Sequence, residues 1–150
     1  MGKINKAILA LGSNIGDRAE NLKKAIHELN KIGQVKNESC SYFNDPVGFD
    51  SNHEFANKVV QFETSLSSEY LLEEIQRIET LLRREKTKQG YEDRTIDIDI
   101  IFFNKEISQN PTLQLPHPEY RKRDFVLIPM RQVGDFKDPS TFIYSSQLLR

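Results

Sequence analysis

The chain has 150 residues, 37% of them hydrophobic and 29% charged, and carries a formal net charge of −1. That length supports one domain with a real core, and the near-neutral charge excludes a general electrostatic hold on nucleic acid or anionic membrane, so any phosphate recognition must come from local clustering. A lone cysteine, Cys40, excludes an internal disulfide and a cysteine-rich zinc site, and no apolar run reaches membrane-spanning or leader-peptide form, so a cytoplasmic address is expected, and a monomer is the expected state.

In chain order, residues 4–11 end in the apolar run Ala7-Ile8-Leu9-Ala10-Leu11, which predicts a buried strand, and Gly12 to Asp17 then reads as a tight turn. No glycine-rich phosphate loop is present, since neither the Walker spacing nor G-x-G-x-x-G occurs. A helix is predicted from Asp17, with Leu22, Ala25, Ile26, Leu29 and Ile32 at helical spacing and Gly33 as a left-handed C-terminal cap. His27 falls on the outside of this helix. Val35 to Phe43, with Cys40 as a buried thiol, predicts a second strand, and Phe55 to Thr64 a third. Ser67 or Ser68 caps a second amphipathic helix carrying Leu71, Leu72, Ile75, Ile78 and Leu82.

Next comes Arg94-Thr95-Ile96-Asp97-Ile98-Asp99-Ile100-Ile101-Phe102-Phe103, a strongly β-forming run with two carboxylates two residues apart. On a strand, Ile96, Ile98, Ile100 and Phe102 take one face, while Asp97, Asp99, Ile101 and Phe103 take the other. A paired carboxylate on a rigid strand can seat a hard cation such as Mg²⁺ and leave positions for water and phosphate. An ordinary amphipathic strand would show the same spacing. The preceding segment tips the balance, because Arg83, Arg84, Lys86, Lys88 and Arg94 gather cations suited to a metal-bound polyphosphate.

The element order β-α-β-β-α-β predicts an α+β fold with a ferredoxin-like core, an antiparallel sheet with both helices on one face. A C-terminal extension follows. It has a turn at Asn104-Lys105, loops at Pro111 and at Pro116-His117-Pro118, an apolar element from Phe125 to Val133, and a last segment from Ser140 that could be strand or helix.

The chain resembles the 6-hydroxymethyl-7,8-dihydropterin pyrophosphokinases of folate biosynthesis. The resemblance rests on Leu11-Gly12-Ser13-Asn14, Asp45-Pro46-Val47-Gly48, Phe55-Ala56-Asn57, the Arg94 to Ile100 run, and Pro116-His117-Pro118 with Arg123-Asp124-Phe125-Val126-Leu127. It implies transfer of the β,γ-diphosphoryl group of ATP to a pterin hydroxymethyl oxygen, with AMP as the other product and two Mg²⁺ ions held by Asp97 and Asp99. Arg84 and Arg94 would join those aspartates in the catalytic set. The resemblance places Asn44, Asp45, Val47, Phe55, Asn57 and Phe125 around the pterin. An amide such as Asn57 offers both donor and acceptor, and two aromatic rings make flat walls. ATP would meet Gln76, Glu79, Arg84, Lys86, Tyr91, Arg94, Ile100, His117 and Arg123.

One departure stands out. Where the family commonly has Arg-Trp-Gly-Pro-Arg-Thr, this chain has Gly90-Tyr91-Glu92-Asp93-Arg94-Thr95, so Tyr91 takes the stacking position and Lys88 is the nearest substitute for the missing cation. Competing readings are an RNA-binding ferredoxin-like module, a two-metal phosphohydrolase and a non-catalytic pterin-binding relative. The first lacks aromatic RNA-binding signatures, and the second has no need of an acceptor pocket.

Overall fold

A computed structural model describes residues 3–44, 54–84 and 95–149, with the side chain of Arg84 outside the described set. The first strand, β1, spans Asn5–Ser13, and helix α1 spans Arg18–Leu29. Asp17 caps α1, its carboxylate accepting from the Glu20 N–H at 3.1 Å. Gly12 and Ser13 therefore belong to the strand, where a turn was expected. The left-handed residue of the connection is Gly16, at φ 72°.

Strand β2 covers Gln34–Glu38 and β3 covers Tyr42–Asn44; both pair with β4, Phe55–Thr64. The expected continuous strand from Val35 to Phe43 is thus broken around Cys40, which is exposed and outside both strands. Gly33 serves a purpose other than the expected left-handed cap. A Cβ there would stand 2.4 Å from the Glu63 carbonyl and 2.5 Å from the Phe62 ring, so glycine lets the chain pass tightly against β4.

Helix α2, Ser68–Arg84, begins after Ser67, whose hydroxyl accepts from the Tyr70 N–H. Strand β5, Asp97–Phe103, completes an antiparallel sheet of spatial order β2-β4-β1-β5, with β3 beside the outer end of β4. Leu22, Ala25 and Leu29 of α1 and Leu71, Ile75, Ile78 and Leu82 of α2 form one core with Leu9, Leu11, Val60, Phe62, Ile98 and Ile100. Ile96 and Phe103 join it.

Phe103 was expected on the carboxylate face and Phe102 opposite. The two are exchanged. Ile8 pairs with Phe102 and Leu9 with Ile100, leaving Ile101 as an extra residue in β5, and this bulge reverses the alternation beyond it. Ile101 and Phe102 consequently pack with Ile8, Val59 and Tyr120 on the other side of the sheet.

That second face is partly covered by α3, Asp124–Val133, through Val126, Leu127, Met130 and Val133. The segment leading to it contains a small hairpin that the sequence did not suggest, β6 at Ser108–Asn110 and β7 at Leu113–Leu115. After α3, the undecided terminal segment forms a 3₁₀ turn at Ser145–Leu148. Among the described residues no helix is long and apolar enough to cross a membrane.

Candidate active site

The central strands bring residues far apart in sequence into one row. Tyr42 pairs with Asn57, Asn57 with Gly12, and Gly12 with Asp97. Directly paired residues of antiparallel strands point to the same side, so the Asn57 and Asp97 side chains share the α3 face with β1 between them. One step inward, Ala10 pairs with both Val59 and Asp99. A small-residue trough therefore runs between the amide and the carboxylates.

On the β4 side, Asn57 is 5% exposed and its amide nitrogen donates to the Tyr42 carbonyl at 2.9 Å and to Asn44 Oδ1 at 2.6 Å. Phe55 lies two residues outward and pairs with Asn44. Three of the residues expected around a pterin, Asn44, Phe55 and Asn57, are thus assembled by the β3–β4 pairing.

Asp97 and Asp99 occupy the other flank, both half-buried. Behind them, Glu79 of α2 accepts the Ile98 N–H at 2.8 Å through Oε2. Burial, aided by the charges of Asp97 and Asp99 and a hydrogen bond to Asp97, pushes the Glu79 carboxyl up to about 7 despite the Ile98 bond. Glu79 thereby ties the helix to the strand that bears the aspartates.

Above Asp99 run residues of the extension. The His117 N–H donates to the Ile101 carbonyl at 2.9 Å, which docks the Pro116-His117-Pro118 segment on β5. His117 Nδ1 accepts the Glu119 N–H at 3.1 Å, so its proton belongs on Nε2, 3.9 Å from Asp99 Oδ2. Burial and then the Arg123 charge lower the His117 pKa, outweighing the pull of Glu119 and Asp97, and favour the neutral ring. Arg123 Nη1 is also 3.9 Å from Asp99 Oδ2, and its guanidinium lies 5.6 Å from the Phe125 ring centroid. A basic fork, an N–H donor, a flat ring and two carboxylates meet here.

These residues fit Mg²⁺ of the kind that substrate completes. Among the described residues no group of three or more His, Cys, Asp or Glu forms a protein cage for a metal. Mg²⁺ commonly takes only one or two carboxylates and fills its remaining positions with water and phosphate oxygens. Asp97 and Asp99 are the residues that could hold it.

Other expected positions divide. Ile100 is 5% exposed in the core beneath the sheet, so its side chain is not brought to the carboxylate face. Gln76 is exposed on α2 and lines a cavity of about 390 Å³ with Ser68, Asn110 and Thr112. Asp45, Val47, Lys86, Tyr91 and Arg94, the Gly90 to Asp93 departure and the Arg84 side chain lie outside the described residues. The pairing also puts Gly12, which the sequence reading did not place among the site residues, between Asn57 and Asp97. The clue available was its register, because a strand carried two residues past Leu11 sets Gly12 between Asn57 and Asp97.

Residues 8–135 match the model of the 7,8-dihydro-6-hydroxymethylpterin-pyrophosphokinase family. The chain belongs to this family. It is 39% identical over 135 residues to the 2-amino-4-hydroxy-6-hydroxymethyldihydropteridine pyrophosphokinase of Porphyromonas gingivalis, covering 87% of this chain and 92% of that protein. Against the Bacillus subtilis protein of the same name, identity is 40% over 131 residues, covering 86% and 78% of the two chains. In fold, it resembles the crystal structure of Plasmodium falciparum HPPK-DHPS with pteroate, at TM-score 0.76 and 18% identity, over 99% of this chain and 42% of that longer one. Family membership makes the row from Asn57 to Asp97 part of a pyrophosphokinase.

Proposed function

We propose that the face carrying Asn57, Gly12, Asp97 and Asp99 is where this pyrophosphokinase joins its two substrates. The enzyme transfers diphosphate from ATP to the hydroxymethyl group of 6-hydroxymethyl-7,8-dihydropterin, a step of folate biosynthesis. The observation that carries the assignment to this face is the cross-strand row, which sets a hydrogen-bonding amide and a carboxylate pair on opposite sides of one narrow strand. The strand order, with α1 and α2 under the sheet, supports reading the core as ferredoxin-like and residues after Phe103 as an extension within one domain.

In this reading Asn57 and Asn44 fix the polar edge of the pterin, and Phe55 and Phe125 supply its two flat walls. Asp45 and Val47 complete the set. The hydroxymethyl arm then points across β1 toward the carboxylates. Arg123 and the neutral Nε2–H of His117 donate to phosphate oxygens, and Arg84, Lys86 and Arg94 take the rest of the triphosphate. Gln76 and Glu79 would stand toward the nucleoside, Tyr91 would take the stacking role over ATP, and Ile100 would offer the nucleoside half only its backbone. Mg²⁺ held by Asp97 and Asp99 would supply charge neutralisation for the triphosphate and hold it in line.

Bond making and breaking are then balanced. The hydroxymethyl oxygen bonds to the β-phosphorus and releases its proton to solvent water, the bond from the β-phosphorus to the α,β-bridging oxygen breaks, and AMP departs with that oxygen and its electron pair. Glu79 holds β5 at the Ile98 N–H, so the two aspartates stay aimed. We read the protein as a cytoplasmic monomer acting on small molecules, and the near-neutral net charge supports the reading that nucleic acid is not a partner.

The test incubates the protein with ATP, Mg²⁺ and 6-hydroxymethyl-7,8-dihydropterin and resolves the nucleotides. Pterin-dependent AMP, equal in amount to pterin diphosphate, is the expected result. ADP formed without pterin would replace this reading with a phosphohydrolase.

A further inference from the structure

Among the described residues, three glycines have neighbours close enough to bear on a side chain, and they differ in what a Cβ would meet. At Gly33 it would strike the Glu63 carbonyl at 2.4 Å, a backbone contact that makes glycine a folding requirement. At Gly134 it would meet the Phe136 ring at 2.8 Å, a local packing contact after α3. At Gly12 it would meet Asn57 Oδ1 at 3.2 Å and the Phe55 ring at 3.5 and 3.9 Å, and nothing nearer. The neighbours of Gly12 are thus the amide and the ring assigned above to the acceptor.

Gly12 is also not required by conformation. The left-handed glycine of the described chain is Gly16, and Gly12 lies within β1, paired on both sides in an antiparallel register. Glycine in the middle of a sheet loses backbone entropy and packs nothing, so its presence there commonly marks a place where something else comes close. Here β1 is flanked by Asn57 and Asp97, whose backbones are two strand spacings apart, about 10 Å. Phe55 stands at one edge of the gap.

We propose that Gly12 is the specificity-determining floor of the acceptor site. Its bare Cα lets a flat heteroaromatic ring settle against Asn57 while the one-carbon alcohol arm crosses β1 to reach the carboxylates. The claim rests on the functional reading above and adds a residue to it. A methyl group at position 12 would occupy the space the ring and arm must cross. Asn57 has little freedom to turn aside, because its Nδ2 is held by Tyr42 and Asn44. The nucleotide side, His117 and Arg123 above Asp99, is one step inward and untouched by that methyl.

The discriminating experiment compares Gly12→Ala, Gly12→Val and, as a folding control, Gly33→Ala. Acceptor binding is followed by calorimetry with 6-hydroxymethylpterin and a non-hydrolysable ATP analogue, separately from turnover. Gly12→Ala should bind the ATP analogue normally and lose less melting temperature than Gly33→Ala, because its Cβ meets one side-chain oxygen at 3.2 Å where that of Gly33 meets a backbone carbonyl at 2.4 Å. Its KM for the pterin should rise at least about tenfold, equivalent to 1.4 kcal/mol, with a smaller change in kcat, and Gly12→Val should be worse. Gly33→Ala should lose stability instead. An unchanged pterin KM in Gly12→Ala overturns the proposal, and so does a loss in which ATP-analogue binding and melting temperature fall together with pterin binding. A wild type that binds pterin yet makes no AMP would instead defeat the functional reading, and the binding arm would still decide the role of Gly12.

Discussion

Alternate residues of β1 serve two different surfaces. Ala7, Leu9 and Leu11 face α1 and α2 and are at most 2% exposed, whereas Ile8, Ala10 and Gly12 face the other way, with side chains that shrink toward the outer end. The first face is sealed along its full length by helix side chains. The second is sealed only over its inner half, where Ile8, Val59, Ile101 and Phe102 meet α3 and Tyr120. Over its outer half it carries Asn57, Gly12, Asp97 and Asp99. The same strands therefore provide a packed wall on one side and a chemically armed floor on the other, and the sealed side keeps the armed side in register.

The largest test of this contrast is Asp97→Ala or Asp99→Ala. Losing a carboxylate from the armed face should remove several kcal/mol of transition-state stabilisation, on the order of a thousandfold or more in kcat/KM, with an unchanged melting temperature. Near-normal turnover in either variant would break the assignment. Its mirror image is Leu9→Ala on the sealed face. That variant should lose about 2–5 kcal/mol of stability by urea denaturation, while the fraction that stays folded keeps its KM values.

A smaller effect sharpens where the second face is anchored. Buried Asp138 accepts from Tyr120 Oη at 2.5 Å, from the Ser140 hydroxyl at 2.6 Å and from the Ser140 N–H at 2.7 Å. Burial alone would raise its carboxyl, but the bonds from Ser140, Tyr120 and Thr141 together hold it below the usual carboxylate value. A depressed folded-state pKa contributes stability above the unfolded value, and that contribution is lost as the pH falls through the folded value. Asp138→Asn should cost about 1–3 kcal/mol at neutral pH. Its stability should then decline less than that of wild type between pH 5 and about pH 2; parallel acid limbs would show that the carboxylate charge is not what these donors serve.

The smallest expected effect is at Cys40. Because the residue is exposed between β2 and β3, a thiol reagent should modify it fully in the native state, with pterin-dependent AMP formation unchanged. Resistance to the reagent would restore the buried thiol that the sequence suggested.

Much of the architecture was legible locally. The bounds of β4, the start of α1 near Asp17 and the amphipathic α2 follow from alternation, a preceding turn and 3.6-residue spacing, all of which act over a few residues. The carboxylate pair was legible for the same reason, since two positions on one strand must share a face. Where pairing with a distant strand decides the outcome, the local pattern misled. The bulge at Ile101 exchanges Phe102 and Phe103 between faces. Gly33 is spaced by β4 and not by its own helix, and Cys40 is exposed because β2 and β3 pair with β4 as separate pieces.

By itself, then, the sequence determined the first strand, both amphipathic helices, β4, the strand with the Asp97 and Asp99 pair and, through its motifs, the family. Only the tertiary structure decided that Gly12 continues a strand and lies between Asn57 and Asp97, and that His117 and Arg123 arrive over Asp99 from the extension. The reason is physical. Helix and strand periodicity are encoded in neighbours along the chain, whereas register across a sheet is set by hydrogen bonds and packing between segments tens of residues apart.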